Sequence, residues 1–162
     1  MRQVWSPWRM KYIMHHESNP ECIFCKALRL EDGPENLIVV RGQSAFVILN
    51  RYPYTGGHLM VVPFVHQPTL DKLSVEERRE LVDTIATAEV VLQEVYHPEG
   101  FNIGANIGSA AGAGVTGHLH FHVVPRWNGD TNFMSTLAET RVLAEALEQT
   151  LNRLKAAWPT PH

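Results

Sequence analysis

The sequence predicts an α+β fold: an antiparallel sheet of about five short strands with one long helix on it, a short N-terminal helix and a C-terminal helix. Three observations predict it. Short runs rich in β-forming residues, bounded by Gly, Pro and Asn, recur at residues 37–41, 45–50, 58–63, 101–107 and 117–126. Two longer runs, ending at Tyr96 and Ala157, carry apolar residues at helical spacing. The length of 162 residues suits one domain with a proper core and is short for two. Hydrophobic residues at 44% and charged residues at 19% place the chain in the ordinary globular class. A formal net charge of −3 offers no basic field, which argues against a nucleic-acid polymer as partner. No apolar run is long enough to span a bilayer, so no membrane association is expected. The N-terminus has no apolar core of a secretory signal, and the cytoplasm is the expected compartment.

Residues 1–20 form an extension in which Pro7 disfavours a long helix and Trp5, Trp8 and Tyr12 are set among Arg2, Arg9 and Lys11. Such aromatic residues are expected to pack on the body or on a second subunit. Residues 21–162 are expected to form the single domain. Cys22-Ile-Phe-Cys25 opens a short helix. No strand precedes it, so a thioredoxin-like dithiol does not fit, and a zinc site would need two further ligands from elsewhere. Leu37–Arg41 and Ala45–Asn50 read as strands joined by a hairpin at Gly42-Gln43. A loop with Pro53, Gly56 and Gly57 leads to the strand His58–Pro63. Ser74-Val-Glu-Glu77 is a capping box, and Leu81, Ile85, Ala88, Val91, Leu92 and Val95 then mark an amphipathic helix that ends at His97-Pro98-Glu99-Gly100. Phe101–Ile107 is the next strand. At the C-terminal end, Leu137, Val142, Leu143, Ala146, Leu147, Leu151 and Leu154 predict a helix over residues 136–157, closed by Trp158-Pro159.

The stretch Gly117-His-Leu-His-Phe-His-Val-Val-Pro-Arg126 carries the chemistry. Read as a strand, it sends His118, His120 and His122 to one face as a row of imidazoles, with Leu119, Phe121 and Val123 entering a core. Imidazole is a nucleophile, a metal ligand and the side chain that titrates near neutrality. The row therefore reads either as a metal site or as a nucleophile with two helpers. Ahead of it, Gly104, Gly108, Gly112, Gly114 and Gly117 fall in a run almost free of bulky side chains, where backbone N–H groups can converge on an anion. A phosphate cradle beside a nucleophilic imidazole favours phosphoryl or nucleotidyl transfer over three idle surface histidines.

His118-Leu-His120-Phe-His122-Val-Val resembles the His-φ-His-φ-His-φ-φ motif of the histidine triad (HIT) hydrolases and transferases. The likeness takes in Asn50, Gly57-His58-Leu-Met-Val-Val-Pro63 and Pro125-Arg126-Trp127-Asn-Gly-Asp-Thr-Asn-Phe-Met134, or roughly residues 21–134. The tail Trp5–Tyr12 and the segment after Arg126 resemble the bacterial diadenosine tetraphosphate phosphorylase branch.

The resemblance implies a HIT-like fold, a homodimer, and cleavage of dinucleoside polyphosphates at the α-phosphate. Its residue-level implications are as follows. His120 is the nucleophile, His118 orients it through the backbone, His122 stabilises phosphoryl charge, and Asn106 supports phosphate and nucleophile. Asn50 contacts the ribose, and His58 is a fourth histidine near the triad. Cys22, Cys25, His66 and His118 would be ligands of a structural zinc; no catalytic metal or organic cofactor is expected. One departure stands out: Gly114 and Val115 replace the usual Gln, Ser or Thr ahead of the first histidine, with Thr116 next to them. Phosphate contacts would then fall to backbone amides around Ala113 and Gly114. Beyond the triad, Arg126 is expected to meet phosphate, and Trp127 either covers a base or packs against the last helix or a partner chain. A phosphoramidate or adenylyl-amine hydrolase, a non-catalytic nucleotide-binding regulator, and a metallohydrolase using the triad as its zinc site are the alternatives.

Overall fold

The computed structural model describes residues 21–130 and 145–159. Its elements in chain order are α1 (Ile23–Leu28), β1 (Ile38–Arg41), β2 (Ala45–Leu49), β3 (Leu59–Pro63), α2 (Val75–Tyr96), β4 (Gly100–Gly104), β5 (Phe121–Arg126) and α3 (Leu147–Ala157). The five strands form one antiparallel sheet in the order β1-β2-β3-β5-β4, as the α+β reading expects. The extension with Trp5, Trp8 and Tyr12 lies outside the described residues.

Register organises the sheet into rows. Ile48 pairs with Met60, and Met60 with His122, so these three side chains share one face. The opposite face carries Val47, Leu49, Leu59, Val61 and Val123, all buried, and α2 packs against β2, β3 and β5. The apolar stripe of α2 supplies Leu81, Ala88, Val91 and Leu92 to that core, and α3 adds Leu151 and Leu154.

Local chemistry explains the element ends. Ser74 accepts the Glu77 N–H at 3.1 Å while the Glu77 carboxylate accepts the Ser74 N–H at 2.7 Å, closing the capping box of α2. The helix stops where His97 turns left-handed at φ 49° and donates its N–H to the Gln93 carbonyl. Two expected boundaries shift. The C-terminal helix begins at Leu147, because Glu145 and Ala146 are not helical; residues 136–144 of the expected helix fall outside the described residues. Its start is held by the Glu145 carboxylate, which accepts from the Tyr96 and Thr150 hydroxyls and from Arg153. The triad strand begins at Phe121 rather than Gly117, because β5 parts from β3 beyond the Val61–Phe121 pair and the Leu119 N–H turns to the Gln67 carbonyl at 2.7 Å.

The β1–β2 hairpin is tied to α2 by one carboxylate. Glu80 accepts the Gln43 N–H at 2.7 Å, the Ser44 N–H at 2.8 Å and the Ser44 hydroxyl. Gly42 makes room for this clamp, since a Cβ there would run into the Glu80 carboxylate. Burial opposes the charge on Glu80, yet the Ser44 hydroxyl and the hairpin N–H groups outweigh it and hold the carboxyl below its usual range. A depressed folded-state pKa contributes stability above the unfolded pKa and loses it as pH falls. Glu80→Gln should therefore cost about 1–2 kcal/mol at neutral pH in urea denaturation. The gap from wild type should close as pH is lowered through the carboxylate range; a gap independent of pH would rule out the charged clamp.

Candidate functional site

The cavity-side row of the sheet floors a cavity of about 570 Å³, within the range of small-molecule sites. Phe24 and Ala27 of α1, Leu37, Ile48 and Met60 give it an apolar end, and Asn106, Gly114, Val115, His120 and His122 a polar one. Asn50 also lines it. Asn36, itself part of the lining, ties the apolar end together. Its Oδ1 accepts the Gly33 and Ile38 N–H groups, while its Nδ2 donates to the Ala27 and Leu30 carbonyls and to Asp32.

The three triad imidazoles do not form one row on a shared wall. His120 and His122 line the cavity with centroids 5.1 Å apart and planes at 77°. His118, fully buried, faces the cysteines instead, because it lies in the segment that has left the β3–β5 ladder.

Hydrogen-bond partners fix the ring nitrogens, since a carbonyl can only accept and an amide N–H only donate. His120 Nδ1 lies 2.9 Å from the His118 carbonyl, so Nδ1 carries the proton and Nε2 keeps its lone pair. Nε2 of His120 has no partner among the described residues. His58 Nδ1 accepts the Tyr54 N–H at 3.1 Å, so its Nε2–H donates across 2.9 Å to His122 Nδ1. That leaves the proton of His122 on Nε2. Tyr54 also lays its ring over His58 at 4.7 Å, and Asn50 Nδ2 approaches His58 Nδ1 at 3.5 Å. The fourth histidine therefore orients the third member of the triad. Burial lowers the proton affinity of His120 against the opposing bond to the His118 carbonyl, which favours a neutral imidazole.

Behind the cavity, Cys22, Cys25, His66 and His118 bring one ligand atom each to within 4.8 Å of one another. His118 donates Nε2–H to the Pro63 carbonyl at 2.9 Å, leaving Nδ1 unprotonated toward Cys22 Sγ at 3.3 Å and Cys25 Sγ at 3.7 Å. His66 Nδ1 stands 3.4 Å from Cys25 Sγ. A tetrahedral Cys₂His₂ site puts sulfur and nitrogen ligands about 3.5 Å apart, so the donor set fits a metal of that preference. A ligating histidine whose other N–H bonds a backbone carbonyl is the usual outer-shell arrangement. Burial, then the neighbouring Cys22 sulfur, pushes the Cys25 thiol up. Gly117 leaves space for the His66 ring, whose Nε2 would stand 3.2 Å from a Cβ at that position.

Ala113 is buried outside the cavity lining and donates its N–H to the Gly108 carbonyl at 3.3 Å, so at this loop it is Gly114 and Val115 that line the cavity. Arg126 and Trp127 are not part of the cavity lining. Along β5 the chain advances about 3.3 Å per residue, which takes Arg126 roughly 13 Å beyond His122. Its guanidinium is occupied by Asp130 at 2.6 and 2.8 Å and by Asn102 at 2.6 Å, and the Trp127 N–H also bonds Asp130. Sequence reasoning missed Phe24, whose ring touches both His118 and His120, and Tyr54. The position of Phe24 between the two cysteines was its only signal.

The sequence matches the HIT domain family over residues 34–129. An AP-4-A phosphorylase of Mycobacterium tuberculosis is 37% identical over 166 residues, spanning 98% of this chain and 85% of that protein. A zinc-bound histidine triad family protein from Mycobacterium smegmatis superposes with a TM-score of 0.68 at 28% identity, covering 85% of this chain and 93% of the other. A hypothetical histidine triad nucleotide-binding protein from Sulfolobus tokodaii does so with a TM-score of 0.68 at 25% identity, covering 84% and 91%. No helix among the described residues is long and apolar enough to cross a membrane.

Long-range ¹H–¹⁵N correlation spectra of the histidine-labelled protein at neutral pH should show Nδ1–H for His120 and Nε2–H for His58 and His122. A His120 ring protonated at Nε2 would contradict the arrangement of the site.

Proposed function

The chain belongs to the HIT domain family, and from that premise we propose that it cleaves dinucleoside polyphosphates, diadenosine tetraphosphate among them, by double displacement at the α-phosphate. The observation that carries this reading is the Nδ1–H of His120 bonded to the His118 carbonyl, which leaves Nε2 as a lone-pair nucleophile on the wall of the cavity. In the first step Nε2 attacks the α-phosphorus, the bond to the bridging oxygen breaks, and ATP leaves. The nucleotidyl-imidazole that remains keeps its Nδ1–H on the His118 carbonyl. In the second step an oxygen of inorganic phosphate attacks the same phosphorus, the P–N bond breaks, and ADP leaves. The similarity to a protein named as a phosphorylase favours phosphate over water as acceptor.

The remaining residues take supporting parts. His122, held by His58, donates its Nε2–H to the oxygens that gain charge. Asn50 receives the ribose, and Asn106 and Gly114 flank the phosphates. The apolar end of the cavity receives the base. Cys22, Cys25, His66 and His118 would hold zinc, whose contribution when bound is to cross-link α1 to the histidine segment. Residues 21–162 act as one domain after the extension 1–20, as a homodimer in the cytoplasm.

With diadenosine tetraphosphate and phosphate the wild-type protein should release ATP and ADP, and His120→Ala should lose at least about 10³-fold in rate. A mass increase of one AMP, trapped in wild type when phosphate is withheld, should be absent from that variant. Turnover of His120→Ala near the wild-type rate would sink the nucleophile assignment, and AMP with ATP in the absence of phosphate would make the protein a hydrolase. Elemental analysis should find one zinc per chain, falling to a small fraction in Cys25→Ser and His66→Ala; full occupancy in either variant would dismiss the site.

A further inference from the structure

Phe24 sits between two candidate metal ligands in the chain and between two triad imidazoles in space. It is 1% exposed. Its ring meets His118 edge-on at 5.3 Å and 70°, and His120 at 5.0 Å and 45°. The His120 ring thus has Phe24 on one side and His122 on another, with the His118 carbonyl fixing Nδ1. The helix that carries Phe24 is only six residues long, and its N-cap, Cys22, makes no side-chain capping bond. So short a helix has little stability of its own. What seats it is the insertion of Phe24 and the approach of Cys22 and Cys25 to His118 and His66.

We propose that Phe24 is a positioning residue that makes the metal clip part of the nucleophile's seat. With a metal on Cys22, Cys25, His66 and His118, α1 is pinned at both cysteines, and Phe24 blocks rotation of the His120 ring away from the His118 carbonyl. Loss of the metal releases α1, opens the space beside His120, and lets the ring turn off the His118 carbonyl, so that its proton exchanges between Nδ1 and Nε2. The consequence for turnover rests on the double-displacement reading; the consequence for the ring does not.

The experiment uses the full chain, zinc-loaded and ¹⁵N-histidine-labelled. Phe24→Leu should keep one zinc per chain and the wild-type circular dichroism. It should turn the single His120 tautomer into an averaged pair of nitrogen signals, and lower kcat by roughly tenfold or more with KM changed no more than about threefold. Removal of zinc from wild type with a chelator should give the same His120 spectrum. A single, unchanged tautomer in both cases overturns the proposal, as does a rise in KM with tautomer and kcat intact, which would make Phe24 a binding wall only. If Phe24→Leu does not fold, Phe24→Met is read in the same way. Absence of any turnover on diadenosine tetraphosphate would tell against the activity, and the spectra would still decide the role of Phe24.

Discussion

One residue, His118, makes three bonds on which the site depends. Its Nε2–H is fixed on the Pro63 carbonyl, its Nδ1 is turned to the two cysteines, and its own carbonyl holds the His120 ring. The ring is fully buried, so each polar contact is made without competition from water and each would be costly to leave open. Because the first bond decides which nitrogen is protonated, it also decides which lone pair the cysteine side receives. Because the backbone of His118 is thereby held, the acceptor of the His120 proton is held as well. The path from Pro63 and the two cysteines to the His120 ring therefore runs through His118 and not through the cavity.

The sheet explains why His118 is free to do this. The β3–β5 ladder runs through Leu59–Val123, Met60–His122 and Val61–Phe121 and then stops. Continued in the same register, Pro63 would face Leu119, but a strand still in the ladder would keep its side chains alternating and hold His118 on the cavity wall. Instead the segment peels off, the His118 ring satisfies the Pro63 carbonyl, and the Leu119 N–H finds Gln67. The ladder ends where the two clusters divide: His122 remains in the sheet beside His58, and His118 crosses to the cysteines.

This division also marks what the sequence made legible. The hairpin at Gly42-Gln43, the capping box at Ser74, the long helix and the five strands follow from local patterns of turn residues, caps and periodicity, and they are present. The convergence of Cys22 and Cys25 with His66 and His118 was legible only through family resemblance, because spacing alone does not bring together residues 41 and 93 positions apart. The alternation of the histidines was legible; the point at which alternation ceases was not, since it depends on where the partner strand ends. Arg126 stands apart from the cavity. Adjacency to the triad in sequence suggested a phosphate contact, yet strand rise carries the residue away and Asp130, four positions on, takes up its charge. The C-terminal helix is helical from Leu147, and the break at Glu145 and Ala146 was not legible because it rests on the Glu145 carboxylate meeting Tyr96, Thr150 and Arg153.

The choice of a carbonyl to orient His120 has a consequence for the proposed double displacement. A carboxylate in that place, as in the Ser-His-Asp arrangement, would stabilise the ring when it becomes positively charged and so suit a histidine that stores a proton. A nucleophilic histidine has a different need. Its nucleotidyl adduct also places positive charge on the ring, and that adduct must form readily and then fall apart. Burial of His120 disfavours a charged ring, which keeps the free imidazole neutral and its lone pair available. The same burial destabilises the adduct and makes the neutral imidazole a good leaving group in the second step. The neutral carbonyl offsets only part of that cost while still fixing the tautomer. Holding the ring by a backbone acceptor thus balances the two half-reactions, whereas a carboxylate in its place would stabilise the intermediate and slow its release.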